Sequence, residues 1–277
     1  MLGFGQLRLF RKSFAVVVAC VPLTLLCASS ASAAELRIPL TELAGVIQAV
    51  IGDAKLHLHN KPASLLNMTS GSYLAIAGKD VPIPLAPKSF SVLGSAYAYY
   101  VDDLNSDSIR VSAAPSAVRL TLNFETKAAN IIGGCVSGDC GLTGALPKII
   151  WKNGTVAIDV VPIHFGTSLT LQVKNVSIGG LISARCEPTA NFFTNSACKV
   201  ALGYANRTIA KLKPDIAAKI KDNVNGTGTQ SKVADGLKKY LSIGPQSGSG
   251  AELAITNVTT SEKSVTIAFQ LADTVGQ

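Results

Sequence analysis

Apolar and polar residues alternate over long stretches of this chain, and the period changes in its last third. The cleanest alternation is Val118-Arg119-Leu120-Thr121-Leu122-Asn123-Phe124-Glu125. Apolar residues point one way and polar residues the other, which predicts a half-buried antiparallel strand. Thr167–Ile178 repeats the pattern through Leu169, Leu171 and Val173. It slips at Asn175, where Val176 and Ile178 take over, and this predicts a β-bulge. Ser89–Val101 reads as one long strand with Tyr97, Tyr99 and Val101 on a single face. Asn153-Gly154 sits between two apolar runs, Ile149–Lys152 and Thr155–Val161, and predicts a tight hairpin because both residues accept positive φ. Shorter strands are predicted at Leu56–His59, Tyr73–Ala77, Ile109–Ser112, Ala251–Val258 and Ser264–Leu271. Pro82, Pro84 and Pro87 restrict 80–87 to an edge strand or an extended connector.

Helical spacing appears in three places. Leu43, Val46, Ile47, Val50 and Ile51 form one stripe behind Thr41, a candidate N-cap, and Gly52-Asp53 ends it. Ala205, Ile209, Leu212, Ile216, Ile220 and Val224 define a long amphipathic helix over Lys199–Val224, with a kink expected near Pro214. Asn225-Gly226 closes it. Val233, Leu237, Tyr240 and Leu241 mark a shorter helix stopped by Gly244-Pro245. The order predicts an α+β fold, with a long, twisted antiparallel sheet wrapped against a long amphipathic helix. Neither an internal repeat nor an interdomain linker interrupts it, so residues 34–277 read as one domain.

The opening has a different pattern. Arg8, Arg11 and Lys12 precede an apolar run from Phe14 to Cys27, and Ala31-Ser32-Ala33-Ala34 follows. These are the three regions of a secretory signal peptide, expected to be cleaved near Ala33. Val17-Val18-Ala19-Cys20 loosely resembles a lipoprotein cleavage box, but the A-x-A site is better formed. The expectation is a secreted or periplasmic protein. Removing residues 1–33 leaves 22 basic and 17 acidic residues, a net charge of +5. The basic residues are not clustered with aromatics, which argues against nucleic acid. Transient contact with anionic lipid headgroups suits this mild charge better.

Only 15% of residues are charged and 48% are hydrophobic, so much apolar surface must be covered by a core or by a greasy ligand. Cys135, Cys140, Cys186 and Cys198 remain after the signal, and an even count in an exported chain predicts disulfides. Local pairing, Cys135–Cys140 with Cys186–Cys198, is favoured by the two short polar loops. A crossed pairing joining the loops is the rival.

Catalytic signatures are sparse. G-x-S-x-G, S-x-x-K, H-E-x-x-H and phosphate-binding glycine loops are all missing, and no cofactor is expected. His164 closes a strand and has Asp159 as its only near carboxylate. A hydrolase would have to use that pair, but a partly buried structural histidine is the plainer reading. His57 and His59 share a strand face and are a candidate metal pair, although a surface pair without a ligand role suits a sequence with only Asp53 nearby. Asp102, Asp103 and Asp107, with Asn105, resemble a sparse calcium loop but lack its glycine and glutamate. A solvated turn is expected, and no metal site is assigned. Asn67, Asn153, Asn175, Asn206, Asn225 and Asn257 each head an N-x-S/T triplet, relevant only under eukaryotic secretion.

The order of elements resembles the tubular lipid-binding superfamily. The features that carry the likeness are the long strands Ser89–Val101, Val118–Thr126 and Thr167–Ile178, the helix Lys199–Val224 and the closing strand Ser264–Leu271. The phrase Leu171-Gln172-Val173-Lys174-Asn175-Val176-Ser177-Ile178 has the same character. The resemblance implies a highly twisted sheet around a long helix, with lipid carried in the seam. It also implies a sheet-to-helix disulfide joining Cys135 or Cys140 to Cys186 or Cys198. The expected function is therefore binding or carriage of a lipid or other hydrophobic molecule, without catalysis. The expected seam is Val118, Leu120, Leu122, Phe124, Leu169, Leu171, Val173, Ile209, Leu212 and Ile216. The rival is an envelope structural or adhesion protein with a solid core.

Overall fold

Alternating strands need partners for their backbone groups, and among the described residues they find them in three antiparallel sheets. The computed structural model describes residues 34–51, 54–61, 71–76, 79–92, 94–124, 131–166, 168–187, 192–241 and 252–272. The expected signal segment 1–33, Cys20 and Asn67 lie outside these residues, as do Gly52-Asp53 and Gly244-Pro245.

In chain order the elements are β1 (Ala34–Pro39), α1 (Leu40–Ile51), β2 (Lys55–Leu58), β3 (Tyr73–Ile76), β4 (Lys79–Pro82), β5 (Lys88–Val92) and β6 (Ser95–Val101). Then follow β7 (Leu104–Asn105), β8 (Ser108–Ala114), β9 (Ala117–Phe124), β10 (Ile131–Ser137), β11 (Lys148–Phe165) and β12 (Ser168–Arg185). The chain continues through α2 (Phe192–Val224), α3 (Thr227–Leu241), β13 (Glu252–Thr260) and β14 (Ser264–Ala272). The class is α+β, with predominantly antiparallel strands and one long helix, as the periodicity predicts.

The principal sheet has the order β5-β6-β10-β11-β9-β8, with β12 on the remaining edge of β11. A second sheet runs β4-β3-β2-β7 and a third β1-β14-β13. β9 buries Val118, Leu120, Leu122 and Phe124 and turns Arg119 and Asn123 outward. The bulge expected at Asn175 is present: Asp159 pairs with Asn175 but Val160 with Val173, leaving Lys174 over. β4 lies at a sheet edge, where Pro82 costs no ladder bond.

Several expectations need correction. Asn153-Gly154 does not make a hairpin. β11 runs straight through it as one 18-residue strand. Lys152 pairs with Leu181 and Thr155 with Gly179, so Asn153 and Gly154 together oppose Gly180 in a bulge. The positive φ that suits Asn for a turn is still used, at +50°. Opposite it, Gly180 sits at φ +84°, where an added Cβ would lie 2.5 Å from the Asn153 carbonyl oxygen. The Trp151 indole N–H donates to the Gly179 carbonyl across the bulge at 2.9 Å. A local turn loses here because both flanks of Asn153 already pair with β12, and a long ladder outweighs a two-residue loop. The bulge is also where β11 changes partners on its other edge, from β10 at Ile149 to β9 from Gly154 onward.

The long strand Ser89–Val101 is two strands, β5 and β6, folded on each other with Val92 opposite Ser95. Gly94, at φ +77°, supplies the turn. Thr41 is not the cap of α1. The helix starts at Leu40, whose N–H donates to the Lys263 carbonyl in the β13–β14 turn. β1 and β10 were not legible as strands. The disulfides are the local pair, Cys135–Cys140 and Cys186–Cys198, so the crossed pairing does not form. The second does tie the end of β12 to α2. α2 begins seven residues before the predicted start and continues through Pro214.

Candidate functional site: an apolar cavity beneath the sheet

The inward side chains of β9, β11 and β12 form the floor of the interior. Leu120, Ile158, Val160, Leu171 and Val173 face a small cavity there. Ile51 from α1, Leu74 from β3, Val224 from α2 and Val233 from α3 close it from above. Every lining residue is aliphatic. The volume is about 20 Å³, room for one or two water-sized groups. An apolar space of that kind offers water no partners and suits a small apolar group instead.

The expected seam residues divide between this cavity and the packed core. Leu120, Leu171 and Val173 line the cavity. Val118, Leu122, Phe124, Leu169, Leu212 and Ile216 are buried against other side chains, and Ile209 is half-buried beside them. Phe124 packs on Trp151 with ring centroids 5.4 Å apart. Ile51, Leu74, Ile158, Val160, Val224 and Val233 complete the lining, although the sequence singled none of them out as ligand-facing. Their signal was present only as membership of an apolar stripe or strand.

The manner of closure gives the cavity its character. Among the described residues, β8 and β12, the outer strands beside β9 and β11, are not paired with each other. Helices cover them instead. α1 packs on β8 and touches α3, and α2 and α3 pack on β12. Polar side chains dock these helices on the strand backbone. The Val111 N–H of β8 donates to Gln48 Oε1 of α1 at 3.0 Å. The Val173 N–H of β12 donates to Asn225 Oδ1 at 2.7 Å, and Asn225 Nδ2 donates to the Val173 carbonyl at 3.1 Å. Thr170 Oγ1 donates to the Gln230 carbonyl at 2.9 Å. The roof of the cavity is thus held to its walls by a few side-chain bonds, where the sheet itself has continuous ladders. Asn225 heads one of the N-x-S/T triplets, and its amide both accepts and donates in this contact.

The outer face of the same strands is polar. Asp159 accepts from Arg119 Nε at 2.7 Å and from Arg119 Nη2 at 3.0 Å. The Arg119 hydrogen bonds hold its carboxyl below the usual carboxylate range. His164 is exposed near the end of β11, not partly buried as expected. It is five positions from Asp159, an odd spacing that puts the two on opposite faces of the strand. Tyr99 lies inside, donating to the Pro147 carbonyl at 3.2 Å, and burial pushes its phenol up.

His57 and His59 do find carboxylates in the fold. The turn after β6 brings Asp103 Oδ1 to 3.4 Å from His57 Nδ1 and Asp102 Oδ1 to 3.6 Å from His59 Nδ1. Among the described residues, no group of three or more His, Cys, Asp or Glu is placed to surround a metal ion. No described helix is long and apolar enough to cross a membrane.

No family model and no curated protein matches the chain. Among solved structures, the chain is similar to the crystal structure of lipopolysaccharide binding protein, at 11% identity and a TM-score of 0.34. The match covers 71% of this chain and 46% of that one, so the chain spans less than half of that protein's length.

Proposed function

We propose that this chain is an exported protein that binds an apolar molecule, a lipid or similar hydrophobe, between the concave face of β9, β11 and β12 and the helices above it. It acts passively, by shielding its ligand from water. One observation carries the reading: the cavity is lined only by aliphatic side chains, and it sits where helices rather than ladder bonds close the structure. Two disulfides support export, because such bonds persist in oxidising compartments. Each methylene moved from water into the seam gains about 0.8 kcal/mol. An acyl chain needs the seam to widen beyond its present volume, and the docked helices are the parts that can move.

Organic extraction of the purified protein followed by mass spectrometry tests this, together with titration by a fluorescent fatty acid. Copurifying lipid or saturable uptake is expected, and Val233→Phe should weaken uptake by filling the space. Neither lipid nor uptake would end the proposal. A second reading, an envelope structural or adhesion protein, is favoured by the small size of the cavity, about 20 Å³ against the several hundred Å³ usual for ligand pockets. It predicts no uptake and a specific protein partner in a pull-down from envelope extract.

A further inference from the structure

β1 is an outermost strand of the third sheet. Among the described residues it pairs with β14 and with no other strand. Such an edge carries a row of unused N–H and C=O groups, a template for one more strand. The opposite edge strand, β13, is interrupted by a bulge between Ile255 and Asn257. β1 has none: Ala34 to Pro39 stay in register with Phe269 to Ser264. Its residues are all exposed except Ile38, which is half-buried, so the edge lies open.

The ladder fixes which backbone groups point outward. The Leu40 N–H donates to the Lys263 carbonyl, one step beyond the pair Pro39 and Ser264. Hydrogen-bonded and non-hydrogen-bonded pairs alternate along an antiparallel ladder. Ala34, Leu36 and Ile38 therefore direct their backbone groups to β14, and Glu35 and Arg37 turn both N–H and C=O outward. Pro39, which has no N–H, falls on the outward side, where it breaks no ladder bond. Leu36 lies opposite Ile267, which is 1% exposed, yet Leu36 itself is 44% exposed. It sits on the core face of the sheet and is left uncovered at the rim.

We propose that β1 pairs antiparallel with β1 of a second copy of this chain, about a two-fold axis through Leu36. The two sheets then join in the order β13-β14-β1-β1-β14-β13. In this register Glu35 opposes Arg37 of the second copy, and Arg37 opposes its Glu35. The outward backbone groups of these residues bond each other, and opposite charges meet on one face. Centring the axis on Glu35 or on Arg37 instead sets like charges directly opposite, which is destabilising. Centring on Arg37 also brings Pro39, without its N–H, against Glu35. Shifts by an odd number of residues oppose outward groups to inward ones. Arg37 Nε donates to Ser264 Oγ at 2.9 Å, which leaves the Nη groups for the second copy's carboxylate. Leu36 meets its own copy in a non-hydrogen-bonded pair, with Cα atoms about 4.5 Å apart, and each leucine covers the other. The contact is self-complementary, as two-fold symmetry requires. One short strand makes a small interface, so association is reversible and concentration-dependent. It is independent of the apolar cavity, and either can fail without the other.

The test is sedimentation velocity over a wide range of protein concentration, on the full chain expressed with its own leader and purified as processed. A reversible monomer–dimer equilibrium is expected. Glu35→Arg and Arg37→Glu each set like charges opposite and should weaken association about tenfold. Mixing the two variants restores both opposite-charge pairs and should recover a heterodimer as tight as the original, which also shows that each variant is folded. Leu36→Cys should crosslink to itself under mild oxidation, because Cα atoms about 4.5 Å apart are within disulfide reach. Thr259→Cys, an exposed position on β13, should not. A monomer at every concentration, a dimer indifferent to both charge reversals, or a mixture that fails to associate would overturn the proposal, as would equal crosslinking of the two cysteine variants.

Discussion

Replacing Asn225 with alanine tests how the roof is attached to the sheet. The Asn225 amide both accepts from and donates to Val173, at 2.7 and 3.1 Å. It takes the place of a neighbouring strand on β12. Each hydrogen bond contributes about 1 kcal/mol net, and a partly buried backbone group left unmatched costs about 1–3 kcal/mol. Val173 would lose partners for both its N–H and its C=O, so Asn225→Ala should cost about 2–4 kcal/mol. Asn225→Asp keeps the acceptor but loses the donor and sets a carboxylate oxygen against a carbonyl. It should restore less than half of the loss. Urea unfolding monitored by circular dichroism gives the free energy, and for a domain of this size each kcal/mol moves the melting temperature by about 2–4 °C. Hydrogen exchange at the Val173 amide reports the site directly and should accelerate. Should Asn225→Ala lose under 0.5 kcal/mol, roughly the floor for one such bond, with unchanged exchange at Val173, the amide is not what fastens α2 to β12.

Other expectations follow from the same geometry. Leu171→Ala enlarges the cavity and should cost about 2–5 kcal/mol, while raising uptake of a benzene-sized probe followed by NMR; unchanged uptake would separate the cavity from any binding role. Asp159 has a depressed folded-state value because of Arg119, so its stabilisation is complete above the ordinary aspartate range and is lost as pH falls through the folded value. Asp159→Asn should remove on the order of 0.5–1 kcal/mol at neutral pH and flatten the acid limb of a stability-versus-pH curve measured with urea. The Cys186–Cys198 bond spans 12 residues and Cys135–Cys140 spans 5. Cys186→Ser with Cys198→Ser should therefore cost about 3 kcal/mol and the other double variant about 2 kcal/mol, as read from urea midpoints under oxidising conditions.

What the sequence determined by itself was the facing of residues within each element. Alternation in β9 and in the first part of β12, and the stripe from Ala205 to Val224, named buried positions correctly because burial of one face imposes periods of two and 3.6. The bulge at Asn175 was legible for the same reason, since an extra residue must show as a slip in the alternation. Local cysteine pairing followed from short polar loops. What only the tertiary structure decided was which elements meet. Asn153-Gly154 has the local chemistry of a turn, yet the ladder with β12 carries the chain straight through it. Leu120 and Val118 are alike in pattern, and only the packing of the elements above the sheet makes one a cavity wall and the other solid core. His57, His59 and the 102–103 turn read as unrelated surface features, because their meeting depends on β7 pairing with β2 across some 45 residues of chain. Gln48 and Asn225 carry no sequence signal for docking on a strand. A single polar side chain aimed at a distant backbone leaves no periodicity, and its partner exists only once the chain has folded.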